Sequence, residues 1–180
     1  AVLVLCCITE ASNTEISTPE AFKAFFDENN WDQNITLTAD IDFSHTNISF
    51  PLGVTDGNNC TEYTGTLDGQ WHTIKGIKVS NGKSEAGIFC SLSGATIKNL
   101  VIDSSCSFAG SKAGSLSVNV LGDITVMNVV SRANVTGTTL AGGLIANVTW
   151  WTEDSRTLLI KNCTRDGNTS STEVAGGFIA

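Results

Sequence analysis

Two adjacent tryptophans, Trp150 and Trp151, stand in the segment ANVTWWTEDSRT with Glu153, Asp154 and Arg156 close behind. Indole faces stack on sugar rings, and the neighbouring carboxylates and guanidinium suit the orientation of hydroxyls, so these five residues are the candidate carbohydrate-binding set. The competing reading packs one ring within its own loop and lays the other over a glycan on Asn147. Asp40, Asp42, Asp68 and His72 have the side chains that general acid–base chemistry uses. Such chemistry needs two carboxylates at a set separation, or a carboxylate with a proton-transfer partner. No acidic and basic constellation repeats along one side of this chain, and DID and DGQ read as turns whose carboxylates bond nearby backbone. No catalytic residue is assigned.

Metal and redox chemistry are read from the histidines and cysteines. His45 and His72 are the two histidines; neither sits in HExxH, and Cys60, Cys90, Cys106 and Cys163 form no CxxC pair, so no metal site is assigned. Oxygen-rich Asp and Asn turns leave structural calcium as the ion that such loops would suit, although no EF-hand loop occurs. Cys6 and Cys7 lie in AVLVLCCI, a run with the length and apolarity of a secretory hydrophobic region. Residues 1–16 therefore read as a truncated signal segment and polar lead-in, with a retained buried first strand as the alternative. If that segment is removed, the other four cysteines allow two disulfides, whose pairing the sequence leaves open.

Seven Asn-x-Ser/Thr sequons, at Asn34, Asn47, Asn59, Asn134, Asn147, Asn162 and Asn168, point the same way. Together with the apolar start and the cysteines they predict a secreted or cell-surface chain carrying N-linked glycans. The net charge of -8, from 10 basic and 18 acidic residues, gives no electrostatic footprint for nucleic acid and argues against acidic polysaccharides.

The elements that must position these residues are short. Thr18 and Pro19 are an N-cap and first-turn pair, and Phe22, Phe25 and Phe26 share one face of the helix that follows. Residues 17–30 are thus predicted as a helix covering the end of whatever follows, and residues 31–180 as a repeat array. NITLTADIDFS alternates as short strands, and the stretch 51–69 reads as a loop-bearing segment ending in a turn at Asp68 and Gly69. TIKGIKV, TIKNLVI, TVMNVVS and LIKNCTR recur at intervals of 23, 29 and 34 residues, and Ala-Gly pairs at 86, 113, 141 and 175 recur at 27, 28 and 34. Repetition at this period signals stacked units joined by variable loops.

Within each first phrase, apolar residues fall three and then five positions after the first, as in Ile97, Leu100 and Ile102. Strict alternation would give two and four, so one residue, Gly76 or Asn99, is inserted as a corner. On this alignment Ile74, Ile77 and Val79 match Ile97, Leu100 and Ile102. Asn99, Asn128 and Asn162 then occupy like corners, where inward amides would form a hydrogen-bonded ladder; Asn162, being a sequon, is expected to face outward instead. Ser131 and Arg165 interrupt the apolar pattern, which predicts a wetter or re-registered stack there.

These phrases resemble the GLUG-containing β-helical domains of bacterial and protist surface and adhesin-like proteins. The likeness covers roughly 34–180 and rests on TADIDFS, YTGTLDGQWHTIKGIKV, EAGIFCSLSGATIKNLVI, AGGLIANV and VAGGFIA. SLSV at 115–118 and the enlarged TWWTED loop depart from it. What the resemblance implies is an all-β, right-handed, single-stranded parallel β-helix solenoid with a short N-terminal capping helix. Its expected role is a non-enzymatic extracellular scaffold that presents loops or glycans to other surface or fibre proteins, with end-to-end contacts between copies. A carbohydrate-binding adhesin module is the alternative, and a polysaccharide hydrolase or lyase ranks below it.

Overall fold

The computed structural model describes residues 13–55, 59–80, 82–149 and 156–180. Thr18 takes an extended conformation and its hydroxyl accepts the amide of Ala21 at 3.1 Å, which starts helix α1 (Pro19–Asp27) with Pro19 in the first turn. The helix stops before Asn29, whose φ of 66° is left-handed. It follows strand β1 (Asn13–Ile16), which pairs with β2 (Asn34–Leu37). The boundary expected at residue 16 therefore cuts into the fold: residues 13–16 are a sheet strand, and Ile16 is buried.

The chain continues through β3 (Ile41–Asp42), β4 (Glu62–Tyr63), β5 (Thr66–Asp68), β6 (Thr73–Lys75), β7 (Lys78–Val79), β8 (Glu85–Ala86) and β9 (Phe89–Leu92). Longer strands follow in β10 (Thr96–Ile102), β11 (Ser107–Gly114), β12 (Ser117–Val120), β13 (Ile124–Ser131), β14 (Asn134–Gly142) and β15 (Ile145–Val148). The last are β16 (Leu158–Lys161), β17 (Thr164–Arg165), β18 (Thr169–Ser171) and β19 (Val174–Gly176). The loop-bearing segment 51–69 carries its strand pieces at β4 and β5, where Tyr63 and Leu67 each deliver an inward side chain.

All pairings between these strands are parallel. They form sheets of nine, six and four strands. β10, β11 and β12 lie in those three sheets in turn, and β13, β14 and β15 repeat the order. Parallel neighbours need a long connection, and here the connection is a passage through the other two sheets.

The register aligns like with like. Ile35, Leu67, Ile97, Val126 and Ile160 form one row across the nine-stranded sheet, and the first four are fully buried. Ala86, Ala113, Ala141 and Ala175 form another, as the Ala-Gly repeats predict. One alignment is corrected. Ile74 pairs with Ile102, not Ile97, and Val79 with Phe108, while Leu67 takes the place opposite Ile97. Left-handed backbone turns the chain at both places, at Gly76 (φ 75°) between β6 and β7 and at Asn99 (φ 52°) within β10. Apolar spacing over seven residues does not tell one corner from the other.

Ser131 and Arg165 also keep register, in line with Ile102. Rather than slipping, the position changes chemistry: the Ser131 hydroxyl bonds that of buried Ser115 at 2.9 Å, and Arg165 Nη1 donates to Ser131 O at 3.4 Å. At the other end, α1 lays Phe22, Phe25 and Phe26 over the first windings. Phe26 meets Tyr63 and Phe89 edge-on with centroids 5.6 and 5.7 Å apart, and those two rings stack at 5.3 Å. Burying each such ring contributes about 2–3 kcal/mol, so the helix is held by its aromatic face.

Candidate functional site

The polar side chains that the fold gathers lie mainly at corners. Asn99, Asn128 and Asn162 have φ of 52°, 56° and 52°, a conformation that asparagine tolerates better than other residues with a side chain. Their amides form a single file: Asn162 Nδ2 donates to Asn128 Oδ1 at 3.4 Å, Asn128 Nδ2 to Asn99 Oδ1 at 2.8 Å, and Asn99 Nδ2 to Asp68 Oδ1 at 3.0 Å. Asp68, whose place at the foot of this ladder was not foreseen, sets its direction. A carboxylate only accepts, so Asn99 must turn its NH2 toward Asp68 and its oxygen toward Asn128, and each later amide follows. Burial alone would raise the Asp68 carboxyl; hydrogen bonds from Gln70 N, Asn99 and Lys98, whose Nζ lies 3.1 Å away, outweigh it and hold the group below its ordinary value. Asn162, expected to point outward with a glycan, is exposed but turns its nitrogen along the ladder.

The carboxylates considered for catalysis hold backbone. Asp40 accepts from Thr73 N at 2.9 Å and from Lys75 Nζ at 3.0 Å, and these contacts lower its pKa; His72 Nδ1 lies 3.6 Å away. Asp42 and Asp103 accept from Ser44 N and Ser105 N, both at 2.9 Å; the Ser44 hydroxyl and then its amide lower Asp42, and the Ser105 amide and then its hydroxyl lower Asp103. Asp68 takes Asn99 and Lys98 from β10, whereas Asp40 takes Thr73, Lys75 and His72, so each carboxylate has donors of its own. His45 is exposed and lines a separate groove beside α1. Beside this region Trp71 is 58% exposed with φ of 64°, following Gln70 at 47°. Left-handed backbone at two successive non-glycine residues is costly, and it turns an indole toward solvent.

Trp150, Trp151, Glu153 and Asp154 lie outside the described residues; Arg156 is exposed. Of the sequon asparagines, Asn47, Asn59, Asn134, Asn162 and Asn168 are exposed and Asn34 and Asn147 half-buried. Asn34 accepts from Thr66 N, and Asn147 uses its nitrogen twice, to Asn119 Oδ1 at 3.2 Å and Thr149 Oγ1 at 2.8 Å. Asn47 lines a groove of about 490 Å³ between α1 and the segment around Pro51, where Lys23, Lys83 and Glu85 also face.

Among the described residues, Cys60 and Cys90 are joined by a disulfide, whereas Cys106 and Cys163 are not bridged to each other. Cys106 is packed in the core, and burial pushes its thiol up to about 11. Among the described residues, Cys60, Glu85 and Cys90 bring their ligand atoms within 4.8 Å of one another. Glu85 and Asn119 were not singled out from sequence, although the matched phrases SVNV and IANV place Asn119 and Asn147 alike, and the two are in register.

No family model matches the chain. It is 34% identical over 121 residues to halomucin of Haloquadratum walsbyi, a match that covers 63% of this chain and 1% of halomucin. The fold is similar to that of a Bacteroides ovatus protein of known crystal structure, provisionally described as an immunoglobulin A1 protease. The TM-score is 0.70 at 18% identity, over 93% of this chain and 52% of that one. The chain thus spans about half of its structural neighbour and a small fraction of halomucin, and at this identity the structural likeness is one of fold.

Proposed function

We propose that this chain is a non-enzymatic extracellular glycoprotein scaffold: a right-handed, single-stranded parallel β-helix solenoid of GLUG-like character that presents loops and glycans on a cell surface or filament. The observation that carries the reading is the use of the polar groups. Asp40, Asp42, Asp68, Asp103 and the asparagine file each fix a corner of the winding chain, which is what a spacer needs and an acid–base site does not. The order in which the strands visit the three parallel sheets supports the solenoid, and right-handedness follows from the rule that about 98% of parallel crossovers take that hand. Similarity to halomucin, the Cys60–Cys90 disulfide and the seven sequons support an extracellular, glycosylated setting. Other surface or fibre proteins, including further copies stacked end to end, are the partners such a rod would meet.

Expression with a secretion signal in an N-glycosylating host tests this. The expected product is secreted, carries glycans at exposed sequons such as Asn134 and Asn168, and scatters X-rays as an elongated particle. A compact particle without glycans, or release of reducing sugar from neutral polysaccharides, would sink the proposal. Exposed Trp71 favours a second reading, a carbohydrate-binding adhesin module. Quenching of tryptophan fluorescence by an oligosaccharide, abolished by Trp71→Ala, would select it.

A further inference from the structure

Glu85 stands where a disulfide gives it no partner. Its Oε2 lies 2.9 Å from Cys90 Sγ and 3.5 Å from Cys60 Sγ, and its Oε1 accepts from Asn119 Nδ2 at 3.4 Å. Neither sulfur of a disulfide carries a hydrogen, so the two oxygen–sulfur approaches are not hydrogen bonds. Beside them the hydroxyl of Ser91, next to Cys90 in the chain and opposite Asn119 across β9 and β12, is buried with no partner among the described residues. Two thiolates and a carboxylate are, however, the donor set of a borderline-soft divalent cation.

We propose that reduction of the Cys60–Cys90 disulfide turns Cys60, Cys90 and Glu85 into a three-ligand site for a Zn2+-class cation. The Cα atoms of the two cysteines are 5.5 Å apart. Zinc–sulfur bonds of about 2.3 Å in tetrahedral geometry call for sulfurs about 3.8 Å apart, which side-chain rotation from this backbone spacing supplies. Asn119, itself held by Asn147, steadies the carboxylate as an outer hydrogen-bond partner does in established metal sites. Glu85 also lines the groove beside α1, which gives a path in and leaves the fourth position to water. Reduction by an external thiol pair breaks the Cys60–Cys90 bond and forms an external disulfide; each cysteine sulfur gains one electron and one proton, and both protons leave as the cation binds.

This inference does not rest on the scaffold reading. In an oxidising setting the site is silent, and it opens on transfer to a reducing one. The test uses the whole chain. Accessible free thiols are first alkylated while the disulfide is intact. A water-soluble phosphine, which takes oxygen from water as it cleaves the bond, then reduces Cys60–Cys90, and Co2+ is titrated as a spectroscopic stand-in for Zn2+. The expected result is a thiolate-to-cobalt band that saturates near about one ion per chain, is missing before reduction, disappears when Zn2+ is added and is absent in Cys60→Ser. Glu85→Gln should weaken binding about tenfold or more while the β-type circular dichroism is unchanged. A reduced chain that unfolds, shows no such band, or binds Co2+ equally well as Glu85→Gln overturns the proposal.

Discussion

Replacing Asn128 tests whether the corner ladder is structural in the way its geometry implies. Its side chain donates to Asn99 at 2.8 Å and accepts from Asn162 at 3.4 Å, from a residue with φ of 56°. Asn128→Ala removes both hydrogen bonds, worth together about 1–1.5 kcal/mol given the length of the second. It also forces alanine into left-handed backbone, which costs about 1 kcal/mol more than asparagine there. The expected loss is about 2–2.5 kcal/mol. Asn128→Gly loses the same bonds and adds the entropy of a freer unfolded chain, but it relieves the backbone, so its loss should be about 1–1.5 kcal/mol. Urea unfolding of both variants, followed by circular dichroism at constant slope, measures the difference. Glycine, though it lacks any side chain, must be the milder change. If alanine is equally mild, left-handed strain does not govern this corner, and if both are neutral the amide file contributes nothing.

Asp68 should make stability fall in acid. Its folded pKa lies below the unfolded value of 3.8, so its contribution is present above that pH and is lost as pH falls through the lower folded value; Asp68→Asn should flatten this limb of a plot of urea midpoint against pH below about 4. Gly76→Ala should destabilise by about 2–3 kcal/mol or more, since φ is 75° and the new methyl would sit 2.5 Å from Ser44 N, whereas Gly82→Ala, at φ 99° with open space around it, should cost clearly less in the same assay. A thiol reagent at neutral pH should label half-exposed Cys163 in the native chain and reach Cys106 only on unfolding, because Cys106 is buried with its thiol raised to about 11; equal labelling rates would refute that packing.

Repetition along the chain determined which residues are equivalent. The Ala-Gly pairs and the phrases that start at Ile97, Val126 and Ile160 found their register because stacking puts equivalent positions directly above one another. The cap was legible too, since Thr18, Pro19 and the three phenylalanines act within a few residues of one another. Distance in the chain hid the rest. Ile74 was matched to the wrong corner because the corners at Gly76 and Asn99 share one local pattern, and only pairing with Ile102 distinguishes them. Asn99, Asn128 and Asn162 could be read as a file, but its direction depends on Asp68, which is 31 residues from Asn99 and reaches it through the sheet. Cys60 found Cys90 among the open pairings, and Glu85 and Asn119 came to lie beside them, because three different windings converge there. Sequence spacing fixes what repeats; which side chains meet across windings is decided by tertiary register, because groups far apart in the chain are brought into contact only by the pairing of strands.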